Sequence, residues 1–229
     1  MAGVNVDKTL EMLVYAALPH VAFEGWSQVA LTQAAADSGL TLAQAQALVP
    51  RGGVDLALAY HRLGDQQMVA ALAEQDLQAM RFRDRVTLAV RLRLQDTDAE
   101  AVRRGTALLS LPIYAAEGAR ALWGTADAIW VALGDRSTDV NWYSKRATLS
   151  AVYAATVLYW LGDDSPDHAA TWEFLDRRIA NVMAFEKAKA AFNANPLGKA
   201  LMTGPLAVFD RIRAPRAAPD LPGYYRKGL

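Results

Sequence analysis

Residues 147–161, ATLSAVYAATVLYWL, carry no charged side chain. A helix that is apolar all round must be buried on every side. At ~15 residues it is too short for a bilayer span, which takes ~18 or more, so it is expected to be the central helix of a folded domain. The rest of the chain is then required to wrap it. Ala and Leu are abundant and β-branched runs between turn residues are scarce, which points to an all-α fold. With 229 residues and 53% apolar side chains, the chain makes one large domain, or a small one fused to a larger one.

The N-terminal quarter reads as three short helices. Residues 7–18 place Leu10, Leu13, Val14 and Ala17 on one face, and Pro19 is expected to end or kink that helix. Gly25-Trp26 makes a turn, after which Ser27 caps a second helix running to about Asp37. Ser38-Gly39 stops it, and Thr41 caps a third helix running to Leu48. This is a helix-turn-helix pattern, and Pro50-Arg51-Gly52-Gly53 separates it from a long helix over 54–80. The opening resembles the DNA-binding half of TetR-type regulators. A transcriptional regulator with a hydrophobic effector is therefore the alternative reading. Its chemistry is weak, because the third helix, TLAQAQALV, has neither Lys nor Arg, and phosphate neutralisation supplies most non-specific DNA affinity.

Net charge is zero but unevenly spread. Residues 1–80 hold three basic against eight acidic side chains, and residues 196–229 hold six basic against two acidic. The two ends thus suit different partners. Within 82–95, FRDRVTLAVRLRLQ, alternating Arg and Leu would also suit a strand, but flanking helical patterns favour a helix. Its arginines are expected to form a solvated face pairing with Asp84, Asp96 and Asp98. Further helices are expected over 98–111, 113–133 and 168–193. In the last apolar segment Leu201, Met202, Leu206, Phe209 and Ile212 share one half of a helical wheel with Leu197 and Val208, while Lys199, Thr203, Asp210 and Arg211 take the other. Such a segment docks on the core, joins a dimer, or lies on a membrane.

Signals for catalysis are missing. The chain has no cysteine, which removes disulfides, thiol nucleophiles and zinc–thiolate sites. His20, His61 and His168 lack metal-ligand spacing, no Glu-x-x-His occurs, and there is no nucleophile elbow, phosphate loop or dinucleotide fingerprint. Asp163, Asp164 and Asp167 sit at a helix start, where capping and the helix dipole account for them. No enzymatic activity, cofactor or metal is expected. The N-terminus lacks the pattern of a signal or transit peptide, so a cytoplasm is the simplest compartment to expect.

Residues 134–147, GDRSTDVNWYSKRA, set Trp142-Tyr143 between an Asp-bearing turn and a basic pair. Asp139 is a good N-cap, so a helix is expected to begin beside it. The ring pair reads either as core or as a recognition patch, since Trp, Tyr and Arg carry interface energy.

Several motifs fall together: Phe23-Glu24-Gly25-Trp26, Pro50-Arg51-Gly52-Gly53, Arg83-Asp84-Arg85-Val86, Ser137-Thr138-Asp139, Asn141-Trp142-Tyr143, Lys145-Arg146, and Ser165-Pro166-Asp167 with Thr171-Trp172. With them, residues 7–190 resemble the ninth coenzyme Q biosynthesis protein family, the lipid-binding accessory proteins of ubiquinone synthesis. The resemblance implies a dimeric TetR-like all-α fold without DNA binding. Its units would be a helix-turn-helix-like unit over 1–50, a lipid-binding domain over 51–195, a membrane-associating segment over 196–214 and a tail over 215–229. It implies a pocket for phospholipid and isoprenoid quinone intermediates, for which Leu108, Leu111, Leu122, Trp123, Val157 and Trp160 are the candidate lining residues by pattern. It implies a surface that meets the demethoxyubiquinone hydroxylase, carried over onto Asp127, Ile129, Asp139, Trp142, Tyr143 and Arg146. Position 129 is Met in the animal relatives, and the second acid of their motif is Ala128 here. Leu201, Met202, Leu206, Phe209 and Ile212 would meet the membrane.

Overall fold

The computed structural model describes residues 6–194 and 213–214, with side chains over 7–184 and 213–214. Among the described residues it consists of α1 (Val6–Glu24), α2 (Gln28–Asp37), α3 (Leu42–Leu48), α4 (Gly53–Ala73), α5 (Phe82–Gln95), α6 (Ala99–Leu109), α7 (Ala115–Ala132), α8 (Val140–Trp160) and α9 (Ala169–Ala194), with 3-10 turns at Leu77–Ala79 and Pro166–His168 and no strand. The local stop and start signals act as the sequence predicts. Ser27 accepts from the Ala30 amide, Thr41 and Gln44 form a capping box, and Asp139 accepts from the Asn141 amide.

Pro19 does not end α1. It removes the amide that would bond the Tyr15 carbonyl, yet the helix continues to Glu24. Leu13, Val14, Ala17 and Val21 are all fully buried on one face, and that packing outweighs the lost bond. The long helix after Gly53 stops at Ala73 rather than near residue 80, giving way to the short 3-10 turn.

Two cores share α4. Its first half contributes Leu56, Ala57 and Ala59 to a core with α1, α2 and α3. Its second half contributes Met68 and Leu72 to a core with α5, α7, α8 and α9. The two are locked by close approach: a Cβ at Gly53 would lie 2.1 Å from the Trp26 carbonyl oxygen, so only glycine lets α4 start against the α1–α2 turn. The Trp26 indole then donates to the Ala101 carbonyl of α6 at 2.9 Å.

The central helix is α8, longer than its apolar run and not buried all round. Leu149, Val152, Tyr153, Val157 and Trp160 face inward, while Leu158 is 63% exposed and Tyr159 stacks on Phe174 near the surface. The apolar outer face is one partial departure from the buried-on-every-side expectation. The arginines of α5 are a second. Arg81 and Arg83 pair with Asp84, but Arg91 lies over the Trp172 ring, Asp98 caps α6, and Arg93 is buried against Asp65 of α4.

Candidate functional site

At the seam between the two cores lies a cavity of about 360 Å³. Its walls come from the α1–α2 turn and from α4, α5, α6, α7 and α8. Trp26, Val102, Leu109, Leu122 and Val157 give it apolar bulk, and Ala57, Ala101, Gly105, Gly118 and Ala121 give it room. Small side chains on facing helices leave the space that larger ones would fill. Gly118 is further constrained, since a Cβ there would lie 2.9 Å from the Leu109 carbonyl oxygen.

One side of the cavity is polar. Arg93, 4% exposed, donates through Nε to Asp65 at 2.7 Å and through Nη2 to the His61 carbonyl at 3.0 Å. The Thr125 hydroxyl donates to Asp65 at 2.9 Å, which leaves its oxygen to accept from His61 Nε2–H at 2.8 Å. Burial pushes the His61 imidazole below its ordinary value, and although Asp65 opposes this, the neutral form wins. Burial likewise pushes the Tyr153 phenol up. Arg93 and Thr125 converge on Asp65 while His61 bonds Thr125, so the cluster braces this wall of the cavity. Among the described residues no group of three or more His, Cys, Asp or Glu is placed to hold a metal.

Of the residues predicted to line a lipid pocket, Leu122 and Val157 do line this cavity. Leu108 packs half-buried against the N-terminal core instead, and Leu111 is exposed between α6 and α7. Trp160 is buried in the larger core, and Trp123 belongs to the aromatic cluster described next. The sequence reading missed Trp26, Tyr60, His61, Arg93 and Tyr153. The run of Ala and Gly along α6 and α7 was the available signal.

The second feature is the start of α8. Asp139 is exposed and caps the helix. Trp142 meets Tyr143 edge-on at 4.8 Å and Trp123 at 5.8 Å, and the Arg146 guanidinium lies 4.1 Å from the Trp142 ring centre. Both residues are half-buried. Two residues assigned to this surface do not reach it. Ile129 is fully buried in the larger core, because the apolar character carried over with that position is spent on packing. Arg146 is 2% exposed, held between Asp127 at 2.5 Å and Asp135 at 3.1 Å. Asp127 is 42% exposed and remains at the rim.

Asp135 anchors the turn before α8. Burial pushes its carboxyl up, but hydrogen bonds from Lys145, Ser137 and Arg146 outweigh that and hold it at about 2. Lys145 contributes at 2.7 Å while lying over the Trp130 ring. Asp163, by contrast, accepts from Ser165 and Thr171, which hold it below the usual carboxylate range as a helix-start cap. The residues proposed for membrane contact, Leu201, Met202, Leu206, Phe209 and Ile212, lie outside the described residues. Among the described ones, no helix is long and apolar enough to cross a membrane.

The COQ9 family model matches residues 115–186, the span from the start of α7 into α9 that holds the Trp142 surface and the Asp163 cap. Over 201 residues the chain is 31% identical to the ubiquinone biosynthesis protein COQ9, mitochondrial, of Rattus norvegicus and 30% to that of Homo sapiens, matching 84% of this chain and 64% and 62% of theirs. Most of this chain is thus similar to COQ9 proteins. It spans just under two thirds of the length of those COQ9 proteins. The fold is TetR-like: a TetR transcriptional regulator from Nitrosomonas europaea ATCC 19718 superimposes with a TM-score of 0.62 at 18% identity, over 76% of this chain and 97% of that one. At that identity the likeness is one of architecture. The COQ9 family match includes the aromatic surface at the start of α8.

Proposed function

We propose that this chain is a non-catalytic, lipid-binding accessory protein of ubiquinone biosynthesis. In this reading it holds part of an isoprenoid quinone intermediate, works as a homodimer, and presents the ligand to the demethoxyubiquinone hydroxylase at the membrane surface. The observation that carries the proposal is the 360 Å³ cavity set between two cores in a chain similar to COQ9 proteins. That volume is within the ~300–1,000 Å³ range of ligand pockets, near its lower end, so it suits a portion of a polyprenyl chain.

The physical task is desolvation. Each CH₂ taken from the bilayer into water costs about 0.8 kcal/mol, so a polyprenyl tail leaves the membrane only if apolar walls replace the lipid. Leu109, Leu122 and Val157 supply such walls. Asp127, Asp139, Trp142 and Tyr143 would meet the enzyme, and Leu201, Met202, Leu206, Phe209 and Ile212 the membrane. A regulator is disfavoured by charge, because neither α2 nor α3 carries a Lys or Arg with which to neutralise phosphate.

Mass spectrometry of lipid released from the purified protein tests the cavity, and co-sedimentation with anionic vesicles tests membrane contact. Bound isoprenoid or phospholipid together with vesicle binding is expected. Empty protein that also fails to sediment would overturn the reading, as would tight, salt-dependent gel shifts on specific DNA.

A further inference from the structure

The mouth of the 360 Å³ cavity and its floor differ in chemistry. Ser110, Ala115 and Ala119 are the exposed part of the lining, so the cavity opens at the turn between α6 and α7. Leu111 and Ile113, within that turn, are 48% and 74% exposed and make the rim apolar. Ala57, Arg93, Ala101 and Tyr153 are the buried part, and a ligand entering from the turn meets them last.

Tyr153 is 3% exposed, and its hydroxyl makes no hydrogen bond to any described residue. Folded chains pair nearly all their buried polar groups, so an unspent hydroxyl on a cavity wall points to a ligand. The polar groups around it are already engaged. Arg93 serves Asp65 and the His61 carbonyl, His61 serves Thr125, and the Tyr60 oxygen accepts the Asp98 amide at 2.9 Å. The Arg93 guanidinium lies 5.9 Å from the Tyr153 ring centre and packs on the backbone of α4, where a Cβ at Gly64 would come within 2.6 Å of its Nη1.

Two consequences fix the class of ligand. Burial pushes the Tyr153 phenol up; Arg93 opposes this, while Asp65 and Tyr60 add to it. The group therefore keeps its proton and is a donor, which calls for an acceptor oxygen. Among the described residues lining the cavity, Arg93 is the one cation, and Asp65 at 2.7 Å already neutralises it. An anionic ligand end would be buried there without a countercharge, which is costly.

We propose that this cavity takes the neutral, oxygen-bearing end of an apolar ligand, a carbonyl or quinone oxygen accepting from the Tyr153 hydroxyl, and turns away carboxylate and phosphate ends. The rest of the ligand leaves past Leu111 and Ile113. This narrows the lipid-binding reading above and rests on it.

Equilibrium dialysis of the full chain tests the proposal with three probes: a decyl-substituted benzoquinone, methyl decanoate and decanoate. The last two share a chain and a carbonyl and differ in charge, so they compare ligand ends without any change to the protein. Decanoate is expected to bind about tenfold more weakly than its ester. Tyr153→Phe should weaken the quinone and the ester about fivefold, the loss of one hydrogen bond. Its urea midpoint should be unchanged or higher, because the hydroxyl has no bond within the fold to lose. A lowered midpoint would show the hydroxyl spent on the fold and overturn the proposal. Equal binding by Tyr153→Phe and the parent, or decanoate held as tightly as its ester, would overturn the selectivity and leave lipid binding standing. Binding that survives Val157→Trp would lie in a second cavity, of about 310 Å³ between α5, α7, α8 and α9, and would overturn the assignment to this one. If the parent binds none of the probes, the lipid-binding reading falls and this one with it.

Discussion

Replacing Arg146 with alanine removes the cation that closes the turn before α8. The guanidinium is 2% exposed and bonds Asp127, Asp135 and the Trp142 carbonyl while lying 4.1 Å from the Trp142 ring centre. Taking one partner from a buried ion pair typically costs about 3–5 kcal/mol, because a charge is left without compensation. Two features pull the value down here. Asp135 keeps Lys145 at 2.7 Å and Ser137 at 2.8 Å, and Asp127, at 42% exposed, turns to water. Loss of the cation–π contact adds about 1 kcal/mol. The expected destabilisation is thus about 3 kcal/mol. With a urea slope of ~2 kcal/mol per molar, the midpoint falls by about 1.5 M at pH 7. The pH dependence supplies an internal control. Asp135 is depressed to about 2 in the folded chain from 3.8, so its contribution is present above pH 3.8 and is lost as the pH falls toward 2. In Arg146→Ala that depression shrinks, so the gap between the two proteins should narrow across the same window. A midpoint within about 0.3 M of the parent, a loss below roughly 0.6 kcal/mol, would refute the buried ion pair and return Arg146 to the surface.

Three further outcomes follow from the same geometry. Gly53→Ala forces a Cβ to 2.1 Å from the Trp26 carbonyl, so it should cost about 3 kcal/mol or more in urea unfolding; a neutral result would dissolve the contact that joins the cores. His61 is held neutral in the fold, so stability should be complete above about pH 6.5 and fall as the pH drops through it, by up to ~1.4 kcal/mol per unit. His61→Gln should flatten that slope between pH 6.5 and 5. Val157→Trp fills the first cavity at a cost of about 1–3 kcal/mol, and it should strip bound lipid while leaving the helical circular dichroism intact.

What the sequence disclosed depended on how far apart the interacting groups lie. Ser27, Thr41 and Asp139 were legible as caps because a cap bonds an amide two or three residues away. Arg93 and Arg146 looked like solvated or partner-facing cations, because their carboxylates stand 28 residues away at Asp65, and 19 and 11 residues away at Asp127 and Asp135. Pro19 misled for a related reason: the local cost was correctly read, but the tertiary packing that overrides it was not visible. The cavity suffered most. Its walls come from six elements, and a lining residue such as Leu122 differs from a packed one such as Leu108 only in what lies opposite.

The Trp142 stretch posed a choice between core and recognition surface, and the structure dissolves that choice rather than deciding it. Trp142 stacks inward on Arg146, and Arg146 is fixed by Asp135, which the turn at 134–137 holds. The ring is thereby set in one orientation before anything binds. A side chain already immobilised avoids the ~0.5–1.5 kcal/mol that ordering it on contact would cost. Tyr143 is held in the same manner, by its neighbour's ring and by the Arg213 carbonyl. Arg146, though absent from the surface, supports it from beneath. Under the proposed function, a change at Arg146 would therefore weaken the partner contact without touching the partner. Loss of binding on substituting Arg146 thus identifies a surface residue only when the fold's stability is measured alongside it.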